Sequence, residues 1–155
     1  MTTTITFRDA TAADLPSIIG MLVDDTIGKT RETVSDPPAE CYVDAFAAID
    51  KDPNNRLILA IGDGEIAGCL QLTFIPGLSR RGLWRGQIES VRTARKFRGQ
   101  GIGRALFDHA IAASRERGCG LVQLTTDKSR SDAHAFYGAL GFVASHDGMK
   151  LSLVG

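Results

Sequence analysis

Seven residues, Arg98-Gly99-Gln100-Gly101-Ile102-Gly103-Arg104, hold three glycines and two arginines directly ahead of a helical apolar pattern. Glycines at alternate positions remove side chains, so the backbone can turn sharply and approach a ligand closely. The helix that follows directs its unsatisfied N–H groups and the positive end of its dipole back at the turn. The stretch therefore reads as a socket for an anion, phosphate above all. A fold that contains it must deliver a strand or loop to the start of a helix at this point.

The rest of the chain alternates strand and helix signals around that socket. Residues 4–8 alternate as a strand. Thr11 and Asp14 form a variant of the capping box, ahead of a helix reaching about Asp25 with Leu15, Ile18, Ile19 and Leu22 on its apolar face. Residues 28–38 read as a loop. Pro38 suits the first turn of a second helix through Tyr42, Phe46 and Ile49 to about Lys51. Strands at 56–61 and 66–74 flank Gly62-Asp63-Gly64-Glu65, a hairpin signal. A further strand is expected at 86–93. Ile102, Ala105, Leu106, His109, Ala110 and Ala113 follow helical spacing, and Gly118 ends that helix behind Arg115 and Arg117. Then come a strand at 121–125, a helix over 133–140 capped by Ser131 or Asp132, and a closing strand at 149–153, with a short extra strand at Phe142. The order is β-α-α-β-β-β-α-β-α-β(-β), an α/β sheet mixing hairpins and crossovers.

Composition excludes several classes. The 155 residues fit one domain, 1–155, with no linker or repeat. A formal net charge of zero gives no overall drive towards nucleic acid or an anionic membrane. The opening Met1-Thr2-Thr3-Thr4-Ile5 lacks the apolar core of a signal peptide, and the longest apolar run, 57–61, is too short to span a bilayer. Cys41, Cys69 and Cys119 show no CxxC spacing; they read as buried small hydrophobes in a reduced cytoplasm and give no metal signature.

Two familiar phosphate motifs fail here. A P-loop needs Lys-Ser or Lys-Thr after its last glycine, but Arg104-Ala105 follows Gly103. The dinucleotide fingerprint needs a third glycine where Arg104 or Leu106 stands. Instead Arg98-x-x-Gly101-x-Gly103 resembles the central motif of the GNAT family of N-acetyltransferases. Arg8-Asp9-Ala10 with Asp14-Leu15 is similar to that family's opening strand and helix, and Tyr137-Gly138-Ala139-Leu140-Gly141-Phe142 to its late Tyr-x-x-x-Gly-Phe motif. The resemblance covers nearly the whole chain. It implies a mixed, mostly antiparallel central sheet with helices on both faces.

The resemblance also implies a function: transfer of acetyl from acetyl-coenzyme A to a primary amine of a small molecule, or a protein amine, by direct attack in a ternary complex. The alternative is a non-catalytic acyl-coenzyme A binding module. By the resemblance, Arg98, Gly99, Gln100, Gly101, Ile102, Gly103 and Arg104 grip the pyrophosphate. Lys96 adds charge at the rim, and the backbones of Val91, Arg92 and Thr93 pair with the pantetheine arm. Arg130 falls near the place of a cofactor-binding asparagine. A lysine-like amine is about one part in two thousand neutral at pH 7, so a base must take its proton. Glu89 is the candidate, against a surface or salt-bridged carboxylate. The N–H of Val91 is the oxyanion donor, and Tyr137 is the proton donor to the leaving thiolate, against a place in the core. The histidines His109, His134 and His146 are weaker candidates.

The acceptor is less legible. Ser79-Arg80-Arg81-Gly82-Leu83-Trp84-Arg85 gathers three arginines around the only tryptophan. It reads as a wall for an anionic, partly apolar acceptor, as a solvated loop, or as the contact of a homodimer. Glu32, Asp36 and Glu40 point the other way, to a cationic amine.

Overall fold

A computed structural model describes residues 3–155; Met1 and Thr2, the start of the stretch read as lacking a signal-peptide core, lie outside them. The chain divides into two compact units, one ending at Val122 and one covering Gln123–Gly155.

The first unit is built on an ordered sheet, β1-β2-β3-β4-β5. β1 (Ile5–Asp9), β2 (Asn55–Gly62), β3 (Glu65–Ile75) and β4 (Arg85–Thr93) pair antiparallel in sequence. β5 (Leu121–Gln123) closes the order at the unit boundary. The β2–β3 hairpin turns through Asp63 (φ 52°) and Gly64 (φ 76°). Two positive φ values in the central pair match the right-handed strand twist, which is why this Asp-Gly signal was readable.

Helices cover both faces. α1 (Leu15–Val23) buries Leu15, Ile18, Ile19 and Met21. With Phe46 of α2 (Glu40–Lys51), they form one core with Leu59 and Cys69 of the sheet. The other face meets α4 (Ile102–Glu116). A Cβ on Gly68 of β3 would meet Ile102 and Leu106 at 3.0 Å, and one on Gly86 of β4 would meet Ser114 Oγ at 2.4 Å. Those two glycines let α4 lie close on the sheet. His109 belongs to this layer, its ring stacked on Phe7 with centroids 4.2 Å apart. Between β3 and β4 lies α3 (Ser79–Gly82), a single turn with positive φ at Arg80, Arg81 and Gly82.

The expected Thr11–Asp14 capping box is present on the 3-10 turn Ala12–Asp14 that leads into α1, and it does more than cap. The Asp14 carboxylate accepts from the Thr11 backbone N at 2.7 Å and takes both Nη atoms of Arg8 at 2.8 and 2.9 Å. α2 starts at Glu40, two residues beyond Pro38. Cys69 is buried, as read, but Cys41 is exposed on α2, so that reading is corrected for Cys41.

The second unit carries α5 (Ser131–Ala139), ended by Gly141 at φ 96°. Its N-cap is Arg130, without a side-chain cap bond, rather than Ser131 or Asp132. No strand follows. Met149, Leu151 and Leu153 are 93%, 86% and 93% exposed, where alternation predicts a closing strand. Alternation supplies a face, but a strand also needs a neighbouring edge, and the hydrogen bonds here are as local as Ser152 Oγ to the Val154 carbonyl, 2.9 Å.

Candidate functional site

β4 breaks its pairing where the expected chemistry lies. Gln71 opposes Glu89 and Cys69 opposes Arg92, so Ser90 and Val91 together face the single residue Leu70. This is a β-bulge, with Ser90 at φ 55°. A bulge leaves a residue out of the ladder and bends its strand away from the neighbour. Backbone groups at Ser90–Val91 are thereby turned from sheet pairing towards other partners.

Residue alternation then sorts the side chains. Gly86 and Ile88 face α4, so Arg85, Gln87 and Glu89 face the α1–α2 side. Glu89 is exposed and accepts from Gln87 Nε2 at 2.6 Å. Beside them, Asn55 Oδ1 accepts from Gln71 Nε2 (3.0 Å) and Thr73 Oγ1 (3.1 Å), extending a polar strip across β2 and β3. Sequence reading missed that strip, because its members are far apart in the chain.

After the bulge, Arg92 is largely buried. Its Nη1 donates to the Val91 carbonyl at 2.9 Å and its Nη2 lies 3.5 Å from Asp25 Oδ2, while its buried Nε has no partner. This ion pair fastens the start of the α1–α2 loop to β4. Burial pushes the neighbouring Cys69 thiol up to about 11, despite the opposing field of Arg92.

The glycine turn follows in the same unit. Phe97 and Ile102 anchor it, at 3% and 2% exposure. Gly99 and Gly101 carry φ 76° and 79°, and a Cβ on either would meet no protein atom within 4 Å. The turn is therefore bent by glycine into a conformation side chains resist, and its outer surface is open. The first α4 bond of the next turn is Ala105 N to Gly101 O, 3.0 Å, so the amides of Ile102, Gly103 and Arg104 precede the first intrahelical acceptor. This geometry fits an anion of the phosphate kind.

The cations around the turn are engaged within the protein. Arg98 donates to the Asp24 carbonyl at 3.1 Å and to its carboxylate at 3.2 Å, and Arg95 pairs with the same carboxylate. Lys96 pairs with Glu65, and Arg104 Nε lies 3.4 Å from Asp108 Oδ1. Hydrogen bonding from Arg95 lowers the Asp24 carboxyl. An open cleft of about 550 Å³ lies alongside, with Asp24, Glu65 and Lys96 in its wall. Asp24 joins residues 71 and 74 positions away; no local spacing signals such a pair.

In the second unit, Tyr137 is half-buried on α5, edge-on to Phe136 (5.6 Å) and Phe142 (6.1 Å). Arg130 is half-buried, behind a turn in which Asp127 accepts from the Ser129 N and Oγ at 2.9 and 2.6 Å. His134 is exposed, and His146 Nδ1 lies 2.7 Å from the Oγ of its neighbour Ser145. On the acidic loop, Glu32 accepts from the Tyr42 hydroxyl at 3.2 Å and lies 3.8 Å from Arg31. Among the described residues no three His, Cys, Asp or Glu side chains gather for a metal, and no helix is long and apolar enough to cross a membrane.

Known proteins resemble this chain closely. The model of the Acetyltransferase (GNAT) family matches residues 21–142. An aminoalkylphosphonate N-acetyltransferase of Salmonella typhimurium is 36% identical over 107 residues, 69% of each chain. A crystal structure described as a transcriptional regulator from Bacillus halodurans C-125 superposes with TM-score 0.94 at 51% identity, over 97% of this chain and 100% of that one. A putative acetyltransferase from Agrobacterium tumefaciens does so with TM-score 0.83 at 27% identity, over 95% and 99%.

Proposed function

The chain belongs to the GNAT family of acetyltransferases, and from that premise we propose that residues 1–155 act as one N-acetyltransferase domain for a small-molecule primary amine, by direct attack in a ternary complex. GNAT enzymes use acetyl-coenzyme A, which supplies the activated acetyl thioester. The observation that carries the reading is the conjunction, in one unit, of the β4 bulge at Ser90–Val91 with the open glycine turn ahead of α4.

Each residue then has a task. The amides from Arg98 to Arg104 hold the pyrophosphate, spreading many weak donors over a diffuse charge. The backbones of Val91, Arg92 and Thr93 pair with the pantetheine arm as an added strand would. Glu89 takes the proton of the attacking amine. The Val91 N–H donates to the carbonyl oxygen as its charge grows. Tyr137 returns a proton to the departing thiolate; its reference pKa near 10 is only a little above a thiol's, near 8.5. Arg130 serves the cofactor phosphates. With no net charge, three free cysteines and a coenzyme A substrate, we place the enzyme in the cytoplasm, independent of nucleic acid, membrane and metal.

The test is thiol release from acetyl-coenzyme A across a panel of amines, beside calorimetric binding of acetyl-coenzyme A. The expected result is binding near the micromolar range and turnover with at least one amine. Glu89→Gln and Tyr137→Phe should each lower kcat about a hundredfold or more while acetyl-coenzyme A still binds. Binding with no turnover for any amine would leave the acyl-coenzyme A binding module as the correct reading. Unchanged turnover in both variants would remove these two assignments alone.

A further inference from the structure

We propose that the β3–β4 loop is an anion site for the acceptor, so that the amine acetylated here carries an oxyanion (a phosphonate, phosphate or carboxylate) at the end remote from its nitrogen. The inference rests on the acetyl-transfer reading and deepens it.

The first observation is pairing. Elsewhere in the first unit seven of nine arginines, Arg8, Arg31, Arg56, Arg92, Arg95, Arg98 and Arg104, meet a carboxylate, and Arg117 donates instead to the Pro53 carbonyl and Asn54 Oδ1. Among the described residues no carboxylate reaches Arg80, Arg81 or Arg85, which cluster within six positions. A chain with no net charge thus brings three guanidinium groups that meet no carboxylate among the described residues to the β3–β4 turn and the first residue of β4. Such a patch attracts and focuses anions, and guanidinium forks bind oxyanions in pairs of hydrogen bonds.

Second, the backbone is shaped to present them. Arg80 (φ 53°, ψ 39°) and Arg81 (φ 61°, ψ 42°) are both left-handed, a conformation that a residue with a Cβ resists. The turn is closed by Gly82 N to Leu78 O at 3.1 Å and Leu83 N to Ser79 O at 3.3 Å. Strain of this kind collects at ligand-binding loops. Arg85 leans back over the same loop, its Nη1 3.5 Å from where a Gly77 Cβ would stand.

Third, position relates the cluster to the reaction. Arg85, Gln87 and Glu89 share one face of β4, with Arg85 about 13 Å along the strand from Glu89. The distance from Arg85 to Thr93, where the strand hands over to the glycine turn, is about 25 Å. Arg85 therefore lies at the far end of β4 from the pyrophosphate turn and on the face that bears the proposed base, with Arg80 and Arg81 in the turn just before it. An acceptor with its amine at Glu89 and its anion towards Arg85 would lie along the polar strip.

The test compares aminoethylphosphonate with propylamine, matched in length and differing in charge. Wild-type enzyme should favour the phosphonate in kcat/KM, chiefly through KM, and added salt should shrink the preference. Arg85→Gln, and Arg80→Gln with Arg81→Gln, should each cut the phosphonate-to-propylamine ratio about tenfold to a hundredfold, and Arg85→Lys should restore part of it. Calorimetric binding of aminoethylphosphonate with coenzyme A present supplies a readout independent of turnover, and thermal melting controls for folding. Equal use of the two amines, or a ratio indifferent to all these substitutions, overturns the anion site while leaving the acetyltransferase reading intact. Phosphonate binding that Arg85→Gln abolishes, without turnover of any amine in the wider panel, would uphold the anion site and overturn the acetyltransferase reading. No phosphonate binding, with turnover of some other amine in the panel, overturns the anion site alone.

Discussion

Asp14 shows how one residue can secure the start of the fold. Its carboxylate is nearly buried, and it collects Arg8, the Thr11 amide and the Thr11 hydroxyl. The Arg8 hydrogen bonds above all hold it down to about 2, from an ordinary 3.8. The unfolded chain therefore takes up this proton at higher pH than the folded one. The resulting stability is fully present above about pH 4 and is lost as pH falls towards about 2. Asp14→Asn should cost about 1–2 kcal/mol at pH 7, allowing for the half-exposed Arg8. Urea unfolding at pH 7 and at pH 2.5 checks this, since the gap between wild type and variant should narrow sharply at the lower pH. Glu89 differs from Asp14 in kind: it is exposed and accepts from Gln87, so its substitution should move turnover and leave melting nearly untouched.

At the scale of elements, β4 and α4 make the site by failing to be regular. β4 gives up one pairing step at Ser90–Val91, and α4 begins from a left-handed Gly101. Because a Cβ at Gly101 meets open space, Gly101→Ala adds backbone strain of about 1 kcal/mol without a clash in the free protein. Its methyl would intrude where the pyrophosphate is proposed to lie. Acetyl-coenzyme A affinity should therefore fall about tenfold or more while Tm drops only a few degrees, measured by calorimetry and thermal melting on one preparation. Equal losses in wild-type-like proportion to stability would place the pyrophosphate elsewhere. The ion pairs of Asp24 with Arg95 and Arg98, and of Asp25 with Arg92, fasten the end of α1 to this same stretch.

On the scale of the whole molecule, order is unevenly shared. Ile58, Leu59, Leu70 and Leu72 on the central pair β2–β3 are at most 1% exposed, whereas most of residues 143–155 are exposed and none lies in a strand. Amide exchange should divide along that line. Amides of β2 and β3 should exchange only through large-scale unfolding, and those of 149–154 within the shortest labelling times. Protection at 149–154 rising with protein concentration would show that these exposed apolar residues find a partner strand in solution.

What the sequence determined by itself was local in origin. The hairpin at Asp63–Gly64, the left-handed glycines of the turn, the cap at Asp14 and the apolar faces of α1 and α4 each depend on residues within a few positions of one another. Their steric and hydrogen-bonding preferences act whatever the rest of the chain does. Motif spacing carried the family, and with it the sheet flanked by helices. Only the tertiary structure decided the rest. It placed the bulge opposite Leu70, drew Asp24 across to Arg95 and Arg98, left Arg80, Arg81 and Arg85 without carboxylates among the described residues, exposed Cys41, and withheld a strand from 149–153. Each of these depends on which distant segment arrives as a neighbour, and chain closure over tens of residues is set by the packing of the whole sheet, not by the residues it brings together.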